Sequence, residues 1–334
     1  HPKTETLTMN PPTRIQLAAL SLLLAPVSIA AVAAGATAPS DGDDALGLDF
    51  VVVTATRFAE SAMRVPSIIN VLDADTIALD HQSRTLPESL RELPGVSVQK
   101  TGNGQGSPFV RGFTGFRNVL LIDGIRLNNS VFRSGPNQYW NTVDGFSLDR
   151  VEVQKGPGSV MYGSDGIGGV VNTISSLEAI KGAGWGGQLL ERYASAEHSD
   201  TTRAQLSYGG SALRVRAGAT YKHYGDLEGG ANVGLQRKTG YGERDANLRV
   251  EYDVGADTML TFAHQYVSID DAWRAHRTPF GIKWEGTTVG TDQKLALDQQ
   301  RSLSYLQLRH DGLGIFGDSL QASLSFQRQS EDQS

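Results

Sequence analysis

The sequence predicts an α+β domain over residues 58–177, followed by antiparallel β-strands over residues 178–334. In the first region, short runs of β-forming residues alternate with Gly-rich turns, and two short helical patterns interrupt them. After Ser175, apolar and polar residues alternate with a period of two, which is typical of strands that have one apolar face. The 38 glycines of the chain suit many tight turns.

Composition sets limits on function. The 334 residues suffice for two or three domains. The net charge of -6 shows no basic excess, so nucleic acid is not an expected partner. The absence of Cys excludes disulfides, thiolate nucleophiles and Cys-based metal sites. The seven His residues form no metal-spaced pair, and no Walker sequence or Gly-x-Ser-x-Gly elbow is present. We therefore expect no metal, no cofactor and no catalytic residues.

The amino-terminal 38 residues read as upstream residues and a secretory signal peptide. Met9 is a plausible true start, which leaves residues 1–8 as upstream read-through. Arg14 supplies a positive charge before the apolar run 15–36, and small residues crowd the end of that run. An uncleaved membrane anchor is the alternative, because the run is long enough to span a bilayer. Residues 39–49 form a Gly/Asp-rich linker that is too short for a folded domain.

Two short helices are predicted in the α+β domain. Thr85 precedes the first as an N-cap, with Glu88 at its third position. This helix should bury the leucines at 86, 90 and 93 on one face and end at Pro94-Gly95. The second should follow Pro157, run over 159–162 and end at Gly163. The predicted strands are Ile68–Leu72, Val96–Gln99, Asn118–Ile122, Arg150–Gln154 and Gly169–Ile174.

The region after Ser175 contains about seven strands. Its short links alternate with longer connections at 225–242 and 270–301, and only the link near 197–200 is short where a long one is expected. Membrane β-barrels have short turns at one end and long loops at the other. A soluble β-sandwich would show the same alternation, so this region alone leaves both open. The strands are centred on 188–194, 203–208, 213–222, 247–252, 259–267, 303–309 and 320–327.

Six short motifs follow one another along the chain: Phe50–Ala55, Leu93–Val96, Val110–Phe113, Leu121–Gly124, Arg150–Pro157 and Gly168–Asn172. Their order and spacing resemble the plug domain of TonB-dependent outer-membrane receptors. The resemblance implies an α+β plug domain followed by antiparallel transmembrane β-barrel strands in a Gram-negative outer membrane, reached after signal-peptide removal. Seven strands cannot close around such a plug, so we expect the barrel to be incomplete in this chain.

Residues 50–57 resemble the TonB box, the segment through which TonB acts. Four strand-forming residues follow the linker here, and a free extended segment can add itself to the edge of a partner's sheet. An ordinary first strand of the plug domain is the alternative. The resemblance implies TonB contact by Phe50, Val51, Val52, Val53, Thr54 and Ala55.

Two further sets of candidate site residues lie in the plug domain. The aperiodic stretch 128–142 sets aromatic residues beside a cation, which is a recognition composition, although these residues could instead pack the loop onto the core. The resemblance places it at the plug apex, facing outward. Charges on or beside apolar strands must be paired if they are buried, and the resemblance implies pairing with carboxylates of the barrel wall; solvent exposure is the alternative. The ligand candidates are Arg133, Asn137, Gln138, Tyr139 and Trp140, and the plug–barrel candidates are Arg111, Arg150, Glu152 and Lys155.

The implied function is active import rather than catalysis. The family carries a scarce solute inward, and a ferric siderophore or haem is the expected cargo. TonB, with its inner-membrane energising complex, and outer-membrane lipid are the expected partners. A passive porin or adhesin barrel and a secreted β-rich binding protein or enzyme are the alternatives. A second candidate contact surface is the connection 270–301, with Trp273, Arg274, His276, Arg277 and Trp284.

Overall fold

The structure is a computed structural model. The predicted signal peptide and linker lie outside the residues it describes. No helix in the described part of the chain is long and apolar enough to span a membrane. Those described residues are 51–52, 60–61, 68–129, 132, 134–175, 177, 180–230, 233–283, 286–313 and 319–334.

The first two strands, β1 (Val51–Val52) and β2 (Glu60–Ser61), pair with each other. Residues 68–175 then form a mixed domain around a five-stranded sheet. The sheet has the order β3-β8-β9-β6-β7, in which β6 and β9 are parallel and the other neighbours antiparallel. The four longer strands confirm the predicted runs, whereas the two-residue β7 was not predicted. The strands are β3 (Ile68–Asp73), β6 (Asn118–Ile122), β7 (Ile125–Arg126), β8 (Arg150–Lys155) and β9 (Gly169–Ile174).

A separate antiparallel hairpin joins β4 (Val96–Gly102) to β5 (Gln105–Val110). The sequence predicted β4 but not β5, which contains Gly106 and Pro108 and therefore lacks the composition of a strand. Pro108 is tolerated because the hairpin has only two strands, so β5 needs ladder bonds on one side only.

The two predicted helices are present but short. α1 (Leu86–Ser89) continues as a 3-10 turn over Leu90–Glu92, and α2 (Ser159–Tyr162) ends at Gly163, where φ is 78°. The leucines at 86, 90 and 93 are buried as predicted. Thr85 is the N-cap residue, as predicted, but its side chain makes no capping hydrogen bond. The Glu88 carboxylate instead accepts a hydrogen bond from the Arg84 backbone N–H, 3.1 Å away.

Seven long antiparallel strands form a second sheet, which confirms the predicted number. The sheet does not close on itself, and β10 and β18 form its edges in the described part of the chain. A small hairpin, β13 (Leu227–Glu228) with β14 (Leu235–Gln236), lies within one of the two long connections. The long strands are β10 (Gly184–Ala194), β11 (Ser199–Gly209), β12 (Leu213–Tyr224), β15 (Tyr241–Asp253), β16 (Thr258–Trp273), β17 (Ala296–Asp311) and β18 (Ser319–Gln333).

The two faces of this sheet are inverted relative to a soluble protein. Along β15, Glu243, Asp245 and Glu251 are buried, whereas Tyr252 is exposed. A soluble β-sandwich would bury the apolar face and expose the charged one. The charged face of this sheet contacts the mixed domain, so the pattern is that of a membrane-barrel wall. The exposed apolar face includes Leu189, Leu206, Tyr221, Phe262, Leu306, Leu324 and Phe326.

Candidate functional site

The interface between the mixed domain and the long-strand sheet is the candidate site, and its largest charge cluster surrounds Lys222. The Lys222 ammonium lies 3.1 Å from Asp144, 2.6 Å from Glu243 and 3.0 Å from Asp245. Arg203 approaches the other oxygen of Asp144 at 3.1 Å. Asp144 belongs to the mixed domain and the other four residues to the sheet. One carboxylate thus links the two parts of the molecule through two buried cations.

The charge state of Asp144 follows from these neighbours. Burial raises the pKa of its carboxyl, but the Lys222 ammonium and the Arg203 guanidinium outweigh that effect. The pKa of Asp144 therefore lies below its ordinary value. The carboxylate stays ionised at neutral pH and retains both ion pairs.

A second cluster lies near the end of the sheet that carries the short turns. Asp123, in the turn after β6, lies 3.3 Å from Arg249 and accepts a hydrogen bond of 2.7 Å from the Tyr305 hydroxyl. The same carboxylate accepts hydrogen bonds from the backbone N–H and the hydroxyl of Ser175. Arg249 also pairs with Glu251 at 2.7 Å. Asp123 thus performs a turn role, with φ of 50°, and also anchors the mixed domain to two strands.

A third contact joins the mixed domain to the short connection between β10 and β11. The Arg84 guanidinium donates to both carboxylate oxygens of Glu197, with Nε–O distances of 3.1 and 2.9 Å. The Glu88 carboxylate lies 3.6 Å from the same guanidinium and 3.1 Å from the Lys100 ammonium. Such a two-pronged Arg–carboxylate pair fixes geometry as well as charge.

The β4–β5 hairpin contacts the end of the sheet that carries the long connections. Gln105 donates 2.9 Å to the backbone carbonyl of Ala272, and its own carbonyl oxygen accepts 3.0 Å from Arg274 Nε. A Cβ on Gly102 would fall inside contact distance of the Trp273 carbonyl oxygen. Only glycine allows this approach without movement of one of the two chains.

The predicted ligand residues are packed into this end of the interface. Tyr139 and Trp140 are 8% and 2% exposed and belong to the hydrophobic core, where Tyr139 stacks on Phe132 at 4.1 Å. Gln138 is buried between Arg274, which donates to it at 3.4 Å, and Glu331, to which it donates. Their packing matches the alternative interpretation of this stretch. Asn137 is also buried, and Arg133 lies outside the described residues.

The four predicted plug–barrel charges lie at the end of β5 and along β8. Arg111 is exposed in the turn after β5, with φ of 52°, and forms no ion pair within the described ranges. Arg150 pairs with Glu152 at 2.8 Å and with Asp149 at 3.8 Å, and Lys155 donates to the carbonyl of Pro94. These partners belong to the mixed domain itself, because β8 lies inside its five-stranded sheet. Pairing of the four residues with barrel carboxylates stays a prediction.

Only part of the predicted TonB box can be described. The backbones of Val51 and Val52 pair with Ser61 and Glu60 in a two-residue antiparallel ladder. The other four predicted TonB contacts, Phe50, Val53, Thr54 and Ala55, lie outside the described residues.

The sequence interpretation missed Asp123 and Asp144 as interface residues. The sequence indicated these two residues only indirectly, through the charged residues at alternate positions along the long strands with which they pair. A membrane strand with charges on its polar face needs an opposing charge inside the barrel. The residues of the sheet that pair with Asp123 and Asp144 are Arg203, Lys222 and Arg249.

Comparison with known proteins adds to this geometry. Residues 61–170 match the TonB-dependent Receptor Plug Domain family. The vitamin B12 transporter BtuB of Vibrio vulnificus (strain CMCP6) is 37% identical over 139 residues, which cover 40% of this chain and 22% of that protein.

Solved structures share the fold over most of the chain. The ferric enterobactin receptor PfeA of Pseudomonas aeruginosa superposes with a TM-score of 0.58 at 18% identity, covering 79% of this chain and 41% of that one. The copper transporter OprC gives 0.60 at 16% identity, covering 78% and 37%. The ferripyoverdine receptor of the Pseudomonas aeruginosa outer membrane gives 0.58 at 19%, covering 78% and 34%. The chain thus spans less than half the length of each protein it matches here.

Proposed function

We propose that this chain, whose residues 61–170 form a TonB-dependent receptor plug domain, imports a scarce solute across the bacterial outer membrane with energy supplied through TonB. A ferric siderophore or haem is the proposed cargo. The observation that carries the proposal is the plug held by ion pairs against the charged face of a sheet whose other face is apolar. A barrel wall that surrounds a movable plug needs a charged face toward the plug and an apolar face toward lipid.

The chemistry of the interface suits a plug that moves. Ion pairs and hydrogen bonds can be exchanged for water, whereas an apolar interface would have to expose its surface. When Asp144 leaves, Lys222 keeps Glu243 and Asp245, so the wall is not left with an unpaired buried ammonium. The cost of moving the plug is therefore lower at Lys222 than if Asp144 were its sole partner, whereas Arg203 gives up its ion pair with Asp144.

The amino-terminal segment supports coupling to TonB. The described ladder between Val51–Val52 and Glu60–Ser61 is only two residues long. So short a pairing is marginal, and a partner strand could replace it with a longer one. Residues 50–55 are thus the proposed point at which TonB pulls.

Metal transport is favoured by the structural relatives and cobalamin transport by the sequence relative. The superposed structures are a ferric enterobactin receptor, a ferripyoverdine receptor and a copper transporter, whereas the 37% identical relative is a vitamin B12 transporter. Cobalamin is therefore the second candidate cargo. The sequence match covers 139 residues, which is 40% of this chain.

Deletion of residues 50–55 tests the proposal. In the full-length receptor, we expect loss of growth on limiting ferric siderophore, haem or cobalamin, with unchanged outer-membrane abundance. A deletion of six residues from the linker 39–49 is the matched control and should keep uptake. If the 50–55 deletion leaves uptake intact, the protein is a passive pore.

A further inference from the structure

A cavity of about 1110 Å³ separates the plug from the sheet at the end that carries the short turns. Asp123 and Arg150 of the plug line one side of it, Gln307 and Arg309 of β17 line the other, and Asp257 of a short turn lies at its rim. Ligand pockets usually have volumes of about 300–1,000 Å³, so a solute of that size class fits inside. Membrane barrels carry their short turns on the periplasmic side. The cavity therefore lies at the end from which an importer releases its solute.

The inner end of this cavity is closed at Tyr305. Tyr305 stands two positions before Gln307 on the same face of β17 and is 2% exposed, because its ring packs in the core that the plug shares with the sheet. Its hydroxyl donates 2.7 Å to the carboxylate of Asp123, which lines the cavity. Leu303, two positions closer to the long connections, packs in the same core. The contact between Asp123 and Tyr305 therefore separates the cavity from the packed part of the interface.

The plug is held by different contacts on the two sides of this closure. Its buried ion pairs described above reach β11, β12 and β15. On β17, Arg301 donates 2.6 Å to the backbone carbonyl of Thr142, and Tyr305 donates to Asp123. Water can replace a partner in such hydrogen bonds, whereas separating a buried ion pair leaves an uncompensated charge. The plug can therefore part from β17 while its ion pairs with β11, β12 and β15 stay in place.

Charged residues of the cavity lining pair with one another. Arg309 pairs with Asp311 at 3.1 Å, and Arg214 pairs with Asp253 at 2.8 Å. Because each of these cations already has a carboxylate, the surface offers a passing solute no isolated charge. A passage has to bind its solute weakly enough to let it leave. The lining therefore suits transit rather than tight binding.

We propose that this cavity is the exit compartment of the receptor and that the contact between Asp123 and Tyr305 is its gate. The inference rests on the proposed import function and adds the route that the solute takes. When the plug shifts, Asp123 parts from Tyr305 but keeps its hydrogen bonds with Ser175 and its ion pair with Arg249. The gap then follows the inner face of β17, and the solute passes along that face into the cavity.

Ion conductance of the full-length receptor in planar lipid bilayers tests this route without TonB and without a cargo. Asp123→Ala/Tyr305→Ala removes both sides of the gate, so we expect a conductance that the wild type lacks. In that background, Gln307→Cys places a thiol in the cavity, and disulfide coupling of a polyethylene glycol to this thiol should abolish the conductance. A reductant releases the polymer and should restore the conductance. This chain contains no Cys, so the introduced thiol is unique within it.

Ser207→Cys in the same background is the matched control. Ser207 lies on the plug-facing side of β11, and β12, β15 and β16 separate that strand from β17. Coupling the same polymer there should leave the conductance unchanged. A gate variant that does not conduct, or equal block from Gln307→Cys and Ser207→Cys, would overturn the exit route. Heat-modifiable migration verifies folding, and Asp123→Asn/Tyr305→Phe, which preserves both side-chain shapes, is the second gate variant.

The import function and the exit route fail in different experiments. The conductance measurement involves neither TonB nor residues 50–55, so its failure removes the route through this cavity and leaves energised import untouched. Uptake that survives the deletion of residues 50–55 would instead end the proposal of energised import, whatever the conductance of the gate variant.

Discussion

Asp144 of the plug lies 3.1 Å from the Lys222 ammonium of the barrel wall, and both side chains are buried. The same ammonium also meets Glu243 and Asp245. Three carboxylates therefore share Lys222, and only one of them belongs to the plug. Lys222 therefore stays paired without Asp144, whereas Arg203 loses the one carboxylate with which it forms an ion pair in the described part of the chain.

Asp144→Asn should weaken the hold of the wall on the plug. Removing one partner of a buried pair costs about 3–5 kcal/mol when the other is left alone. Because Lys222 keeps two carboxylates, we expect the free energy of local opening around residues 143–148 to fall by about 1–3 kcal/mol. Native-state hydrogen exchange measures it. Asp149→Asn, whose side chain is 37% exposed, is the control, and equal opening in both variants would contradict the assignment.

Acidification should break the ion pairs of Asp144 only at pH values below the ordinary pKa range of carboxyl groups. The pKa of Asp144 is lowered in the folded protein, because its cations outweigh burial. Its contribution is therefore complete above the unfolded value of about 3.9 and is lost as pH falls through the lower folded pKa. The difference in opening free energy between wild type and Asp144→Asn should stay constant from pH 7 to about 4 and shrink below that. A difference that shrinks between pH 7 and 5 would rule out a depressed pKa.

Gly102→Ala should loosen the hairpin from the wall. A methyl group at this position would overlap the Trp273 carbonyl oxygen, and overpacking against backbone costs about 1–3 kcal/mol. We expect a lower melting temperature and faster exchange across β4 and β5. Gly242→Ala is the matched control, since nothing lies within 4 Å of the added Cβ. Equal melting temperatures for the two variants would show that the backbone contact between Gly102 and Trp273 adjusts to the added methyl group without loss of stability.

Local sequence patterns predicted local structure, but they did not predict contacts between residues that are far apart in the sequence. The spacing of Leu86, Leu90 and Leu93 is enough to place a buried helical face, because a helix is decided within a few residues. No local pattern predicts the role of Asp144, because its partner Lys222 is far away along the chain. Taken alone, each of the two charged residues is predicted to lie on the exposed surface. The role of Trp140 was ambiguous for the same reason. The composition of the stretch around it is typical of ligand recognition, and only the fold shows that Trp140 packs in the core.

Leu206→Arg tests whether the apolar face of the long-strand sheet lies against lipid. Leu206 is 54% exposed and pairs across β11 with Gly187 and Ala217, so its side chain belongs to the outward face. An arginine on the lipid face of a barrel costs about 2–4 kcal/mol near the bilayer midplane. We expect reduced assembly of the full-length protein, seen as loss of heat-modifiable outer-membrane material, while Leu206→Val assembles normally. Normal assembly of the arginine variant would mean that this face meets water or another protein, because neither environment penalises an exposed guanidinium as hydrocarbon does.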